Sequence, residues 1–125
     1  MLLMASLTAF QRLKRKVFAN PEDTMVSGAK VALDDPYVER IRRAHYNDIE
    51  NILLFISIGF LYSLTKPKPV IAVNLFRIFT IARFLHTVVY TIVIIRQPAR
   101  ALCWMTGYTI TIFMAIWCIK SNLAP

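Results

Sequence analysis

The stretch Val38-Glu39-Arg40-Ile41-Arg42-Arg43-Ala44-His45-Tyr46-Asn47-Asp48-Ile49-Glu50-Asn51 is dense in charge and runs without a break into the apolar residues 52–64. Charge carried down to hydrocarbon must find a partner, so such residues point to a bound charged ligand. Glu39, Arg43, Tyr46 or Asn47, and Glu50 recur at helical spacings of three and four, so they share one face, with Arg42 and His45 on an adjacent stripe. Two further stripes follow: Arg83, His86 and Tyr90, then Arg100, Trp104 and Tyr108. Arg12 closes the first apolar stretch of the chain.

These groups fit a small ligand bearing two carboxylates and one ammonium. Guanidinium groups pair carboxylates bidentately, and an inward-facing Glu50 takes an ammonium. Glutathione has these groups and adds a thiol, which titrates near ~8.5 in water. An arginine beside that thiol favours the thiolate, each pKa unit gained being worth about 1.4 kcal/mol. The chemistry is then attack by a cosubstrate thiolate on an apolar electrophile that arrives through the bilayer. No protein nucleophile is needed. Several residues also admit plainer roles. The Arg12–Lys16 cluster reads as a headgroup anchor, and Glu39, Arg43 and Glu50 as salt-bridge partners. Arg77 lies off the Arg83 face and reads as a snorkelling or pairing residue. Arg83 and His86 lie well inside a span, and their nearest acidic candidates are Glu50 and Asp48. Two histidines without a cysteine pattern do not make a metal site, and none is expected.

The elements that must position these residues are helical and membrane-embedded. Of 125 residues, 57% are apolar, which places the chain with membrane proteins and allows one domain, residues 1–125. The net charge of +8 is not a nucleic-acid footprint: all seven acids lie between Glu22 and Glu50, and most of the bases share that half. Spans are expected at about residues 1–10 (partial), 50–64, 70–95 and 101–119. The first is too short to cross ~30 Å of hydrocarbon, which takes roughly 20 residues, and reads as the final half of a truncated helix. Asn20-Pro21-Glu22-Asp23 reads as a helix start, residues 24–35 as a polar loop, and Asp34 or Asp35 before Pro36 as the cap of a helix running to about Leu64. Eight Lys or Arg residues between Arg12 and Arg43 assign the first loop to the cytosol. Cys103 and Cys118 sit in the last apolar run and read as small apolar side chains.

The sequence resembles the MAPEG family (membrane-associated proteins in eicosanoid and glutathione metabolism). The resemblance is carried by Val38-Glu39-Arg40-x-Arg42-Arg43-Ala44-His45-x-Asn47-Asp48-x-Glu50-Asn51, by Arg12-Leu13 with Phe18-Ala19-Asn20-Pro21-Glu22-Asp23, by Ala82-Arg83-x-x-His86-Thr87 with Tyr90, and by Gln97-Pro98-x-Arg100-Ala101-Leu102. It implies an all-α, four-helix membrane protomer that forms homotrimers in the endoplasmic reticulum and mitochondrial outer membranes. It implies glutathione contacts at Arg12, Arg42, Arg43, His45, Asn47, Glu50 and Tyr90, support from Arg83 and His86, and Arg100 near the thiol. The expected activity is glutathione transfer to hydrophobic electrophiles, with glutathione-dependent reduction of lipid hydroperoxides beside it. The alternatives are a glutathione-dependent isomerase of prostaglandin endoperoxide, disfavoured by Ala101 where that branch has serine, and a non-catalytic truncated membrane subunit.

Overall fold

The computed structural model describes residues 1–123, and their contacts divide at Asn47/Asp48 into two compact units. In the first unit, α1 (Leu2–Arg15) continues through the basic cluster instead of stopping at Phe10. It ends at Lys16, whose left-handed backbone (φ 55°) turns the chain and whose Nζ donates to the Ser27 carbonyl at 2.9 Å. Two short segments pair in parallel around the buried Val17, β1 (Val17–Phe18) and β2 (Lys30–Val31), the second lying within the expected 24–35 loop. The expected helix at Asn20-Pro21 is a single 3₁₀ turn, Pro21–Asp23. The Thr24 hydroxyl donates back to the Pro21 carbonyl at 2.6 Å, and the Thr24 N–H donates to that same carbonyl at 3.1 Å, which closes the turn.

Helix α2 (Pro36–Leu64) starts where the sequence places it. Asp35 Oδ1 accepts the N–H groups of Tyr37 (3.0 Å) and Val38 (3.2 Å), satisfying donors that a helix start leaves without intrahelical partners. Its Oδ2 accepts from Arg15 Nε at 2.7 Å, and that guanidinium lies 4.2 Å from the Tyr37 ring centroid. The Arg15 hydrogen bond is the main reason the Asp35 carboxyl sits below its ordinary value of 3.8; the Val38 and Tyr37 N–H groups add to the effect, and partial desolvation opposes it.

In the second unit, α3 (Pro69–Thr91) and α4 (Ala99–Leu123) are long and apolar enough to cross a membrane, and among the described residues they alone are so. The apolar part of α2 is shorter and preceded by Asp48 and Glu50. Helix α3 stops at Thr91, short of the expected Ile95, although Ile92-Val93-Ile94-Ile95 is as hydrophobic as the helix before it. Four β-branched residues in a row followed by Arg96-Gln97-Pro98 favour extended backbone over helix. The N–H groups of Ile92 and Val93 both end on the Val88 carbonyl.

The core of this unit joins Phe55, Tyr62, Phe79, Ile110, Met114 and Cys118. The Phe55 and Phe79 rings stack at 3.5 Å, and Phe76 meets Phe55 edge-on at 5.2 Å. Two glycines permit this closeness: a Cβ at Gly59 would sit 3.1 Å from the Phe76 ring, and one at Gly107 would sit 3.3 Å from Phe79 and 3.6 Å from Arg83 Cδ. Next to the aromatic core lies a buried ion pair. Arg83 of α3 donates to Asp48 Oδ1, and Thr87 donates to Asp48 Oδ2 at 2.8 Å. Both charged side chains are almost fully buried, at 4% and 3% exposure. Glu50, the other acidic candidate, is exposed.

Removing one partner of such a pair leaves a charge in low dielectric. Asp48→Asn is expected to destabilise the detergent-purified protein by about 3–5 kcal/mol in reversible unfolding, and joint replacement of Asp48 by Leu and Arg83 by Met to recover most of that loss. An Asp48→Asn protein as stable as wild type contradicts this reading. A second expectation concerns Asp35. Its folded pKa is lowered, so its stabilising contribution is complete above the ordinary value of 3.8 and fades as pH falls through the lowered value. Carboxyl NMR titration should place Asp35 below 3.8 and move it upward in Arg15→Ala; identical curves would remove Arg15 as the cause.

Candidate functional site

The expected site residues fall into two groups, one per unit. In the first unit, Glu39, Arg42, Arg43, His45 and Tyr46 line one open cleft of about 200 Å³ on the N-terminal half of α2. Glu39 with Arg42 and Arg43, and these two with Tyr46, stand at helical spacings of three and four, which winds them to one side of α2. Glu39 pairs with Arg42 at 2.6 Å, one turn along the helix, and not with Arg43 as the four-residue spacing had implied. Both ends of this pair are solvent-accessible, so it is worth at most about 1 kcal/mol and yields readily to an incoming carboxylate. Arg43 is exposed and makes no ion pair among the described residues. Asn47 is half-buried at the end of the unit. Arg12, on α1, is half-buried, and its Nη1 is fully enclosed without a hydrogen-bond partner among the described residues. An enclosed guanidinium nitrogen in that state is costly and is suited to an added acceptor.

In the second unit the residues sort differently. Arg83 is committed to Asp48 within the protein, so its role is to fix α3 against α2 and not to offer a free guanidinium. His86 lies one turn further along α3, 3% exposed, with Nδ1 enclosed and without a hydrogen-bond partner among the described residues. Its ring meets Tyr90 edge-on at 5.7 Å. Across from it, the Arg100 guanidinium lies over the Tyr90 ring at 4.4 Å from the centroid. The stripe on α4 continues with Trp104 and Tyr108, whose rings stack at 4.8 Å. His86 and Tyr90 of one stripe and Arg100 of the next are therefore brought together at Tyr90. Glu50 stays exposed on α2, apart from the Arg83 pair.

The position of Arg100 matters. It occupies the first turn of α4, where the Ala101 N–H is taken by the Gln97 side chain at 3.2 Å and the Leu102 N–H by the Pro98 carbonyl at 2.9 Å. A cation there opposes the helix dipole, at a cost of about 0.3–1 kcal/mol, but adds to the positive potential at that helix end. The summed field stabilises an anion such as a thiolate.

Of the two acids expected near Arg83, Asp48 is the buried one and Glu50 the exposed one. The signal for this was present: buried residues on α2 are Val38, Ile41, Ala44, Asp48, Phe55, Gly59 and Tyr62, at the spacing of one helical face, and Glu50 falls off that face. Among the described residues, no cluster of three or more His, Cys, Asp or Glu side chains is assembled for a metal ion.

Comparison with known proteins agrees in extent with the whole chain. The MAPEG family profile matches residues 1–120. The chain is 49% identical over 128 aligned positions to microsomal glutathione S-transferase 1 of Homo sapiens, covering 98% of this chain and 82% of the relative. The Mus musculus protein of the same name is 47% identical with the same coverage. Prostaglandin E synthase of Bos taurus is 42% identical over 105 positions, covering 83% of this chain and 68% of that protein. The profile match, the relatives at this identity and the two span-length apolar helices together establish that this chain is a membrane protein of the MAPEG family.

Proposed function

We propose that the chain is a membrane-bound glutathione transferase that adds the thiolate of glutathione to hydrophobic electrophiles. The observation that carries this reading is the 49% identity, over 98% of the chain, to a protein named microsomal glutathione S-transferase 1. The similarity to prostaglandin E synthase is lower and covers less of the chain. The side-chain chemistry supports the same choice.

The roles are assigned residue by residue. Arg42 and Arg43 bind carboxylates of the tripeptide, with His45 and Asn47 as hydrogen-bonding neighbours, and Arg12 supplies a further guanidinium. Glu50, an exposed acid not used by the Arg83 pair, takes the ammonium. Arg100, at the positive end of α4, stabilises the sulfur anion, and Tyr90 holds the Arg100 guanidinium by its ring face. Arg83 and His86 keep Tyr90 in place from α3. The proton leaves the thiol for solvent, the thiolate sulfur attacks the electrophilic carbon, a C–S bond forms, and a halide leaves with its bonding electrons. Lowering the thiol pKa by about two units is worth about 2.7 kcal/mol and makes the thiolate the main species at neutral pH. The same thiolate attacks the terminal oxygen of a lipid hydroperoxide, the O–O bond breaks, and the alkoxide leaves to be protonated as the alcohol, which turns the bound thiolate into a sulfenic acid. A second glutathione thiol attacks that sulfur and releases water to give the disulfide, so peroxidase activity accompanies the transfer. The protein works as a homotrimer in the endoplasmic reticulum or mitochondrial outer membrane, with the basic first loop on the cytosolic side.

The kinetic consequences separate the two groups of arginines. With an aromatic halide as electrophile, Arg100→Ala should lower kcat by about 10²–10³, as loss of a preorganised donor to a developing or stabilised anion does. Arg43→Ala should instead raise the KM for glutathione by about tenfold or more, with a smaller change in kcat. Wild-type protein that binds glutathione yet conjugates no electrophile, while converting prostaglandin endoperoxide, would replace this function with the isomerase.

A further inference from the structure

Arg77 is a mid-helix cation that neither the core nor the proposed chemistry uses. It lies on α3, eight residues past Pro69, on a face whose other members are Val70 (73% exposed), Val73 (46%), Ile81 (59%) and Phe84 (70%). Arg77 is itself exposed, as is Asn74 one turn before it, and it makes no ion pair among the described residues. The chain offers it nothing obvious. No acidic side chain follows Glu50 in the sequence, and both oxygens of Asp48 are taken by Arg83 and Thr87. A lone guanidinium on the outer face of a membrane-crossing helix is expensive, so its counter-charge comes from outside the chain.

The depth of Arg77 narrows the choice. At 1.5 Å per residue its Cα lies about 12 Å along α3 from Pro69. Side chains of a helix lean toward its N-terminus, so the guanidinium is carried back to about the level of Asn74, near the boundary where phosphates lie. That end of the unit is cationic throughout. The turn between α2 and α3 holds Lys66 and Lys68, and Lys120 sits in the last turn of α4, whose Trp117 meets Tyr62 of α2 at 6.4 Å. Beneath Arg77, an open groove of about 320 Å³ is lined by Phe76, Arg77, Thr80 and Ile81, almost wholly apolar apart from the guanidinium.

We infer that this face of α3 is a binding site for an anionic phospholipid, its phosphodiester on Arg77 and Asn74, one acyl chain in the Phe76–Thr80–Ile81 groove, and its net negative headgroup drawn by Lys66 and Lys68. Guanidinium pairs phosphate bidentately, which a passing headgroup at a single lysine does not match. The nearby lysines attract a net negative headgroup, which sets the preference for phosphatidylserine over phosphatidylcholine.

The test is native mass spectrometry of the full-length protein released from nanodiscs of phosphatidylcholine alone or with phosphatidylserine, for wild type, Arg77→Gln and Arg77→Lys. Wild type should retain phosphatidylserine in preference to phosphatidylcholine. Arg77→Gln should bind it about tenfold more weakly, and Arg77→Lys should fall between, with glutathione conjugation by the folded variants unchanged. Equal retention by wild type and Arg77→Gln overturns the site. Loss of oligomer mass in Arg77→Gln with lipid retention unaltered assigns Arg77 to a contact with a second copy, and overturns it as well. If Arg77→Gln does not fold, lipid retention by Arg77→Lys equal to wild type under the same conditions overturns the bidentate phosphate contact.

Discussion

The pairing of Arg83 with Asp48, completed by the Thr87 hydroxyl, is the constraint on which the second unit turns. An arginine inside a membrane-crossing helix commits the fold to bringing a carboxylate against it, because an uncompensated charge there costs several kcal/mol. That requirement sets α3 against α2 at one level. The stacked Phe55 and Phe79 rings, and the close approaches that Gly59 and Gly107 allow, then fill the space on either side. The pair also fixes the face of α3 from which His86 and Tyr90 project. Tyr90, so held, meets Arg100 at the start of α4. The geometry at the proposed sulfur position thus descends from one buried ion pair.

Magnitudes separate the arginines that hold the protein from those that can hold a ligand. Arg83 is buried and matched, and a ligand carboxylate would have to displace Asp48 at a cost of several kcal/mol. Arg42 is bound to Glu39 by an exposed pair worth little, and Arg43 makes no ion pair among the described residues. Arg15 has a structural role, since it ties α1 to the Asp35 cap of α2. Similar sequence signals, an arginine near an acid, therefore carry different functions according to burial. The proposed function accordingly draws the partners of a tripeptide's two carboxylates from the exposed ones.

Much of this was legible from residue types. The Asp35-Pro36 start of α2 and its end near Leu64 follow from capping and from the Lys66-Pro67-Lys68-Pro69 turn, and both appear in the structure. The His86–Tyr90 and Trp104–Tyr108 contacts follow from helical spacing within α3 and α4, whereas the meeting of Tyr90 with Arg100 is set by how the two helices pack. Hydropathy misplaced the end of α3 because it counts Ile92 to Ile95 as span without weighing their β-branched backbone preference. The β1–β2 pairing around Val17 could not be read, since two-residue segments carry no periodicity. The choice of Asp48 over Glu50 as partner of Arg83 was within reach of the buried-face spacing on α2, but both acids satisfied the simpler demand for a nearby countercharge.

The central claim is that this protein activates the thiol of glutathione. The most direct measurement is the ultraviolet absorbance of the thiolate when glutathione saturates the purified, detergent-solubilised protein, followed across pH. The account predicts a midpoint one or more units below the free thiol value of about 8.5. Bound glutathione that titrates at the free value would contradict it, because the positive field of Arg100 and the α4 terminus would then not be acting on the sulfur.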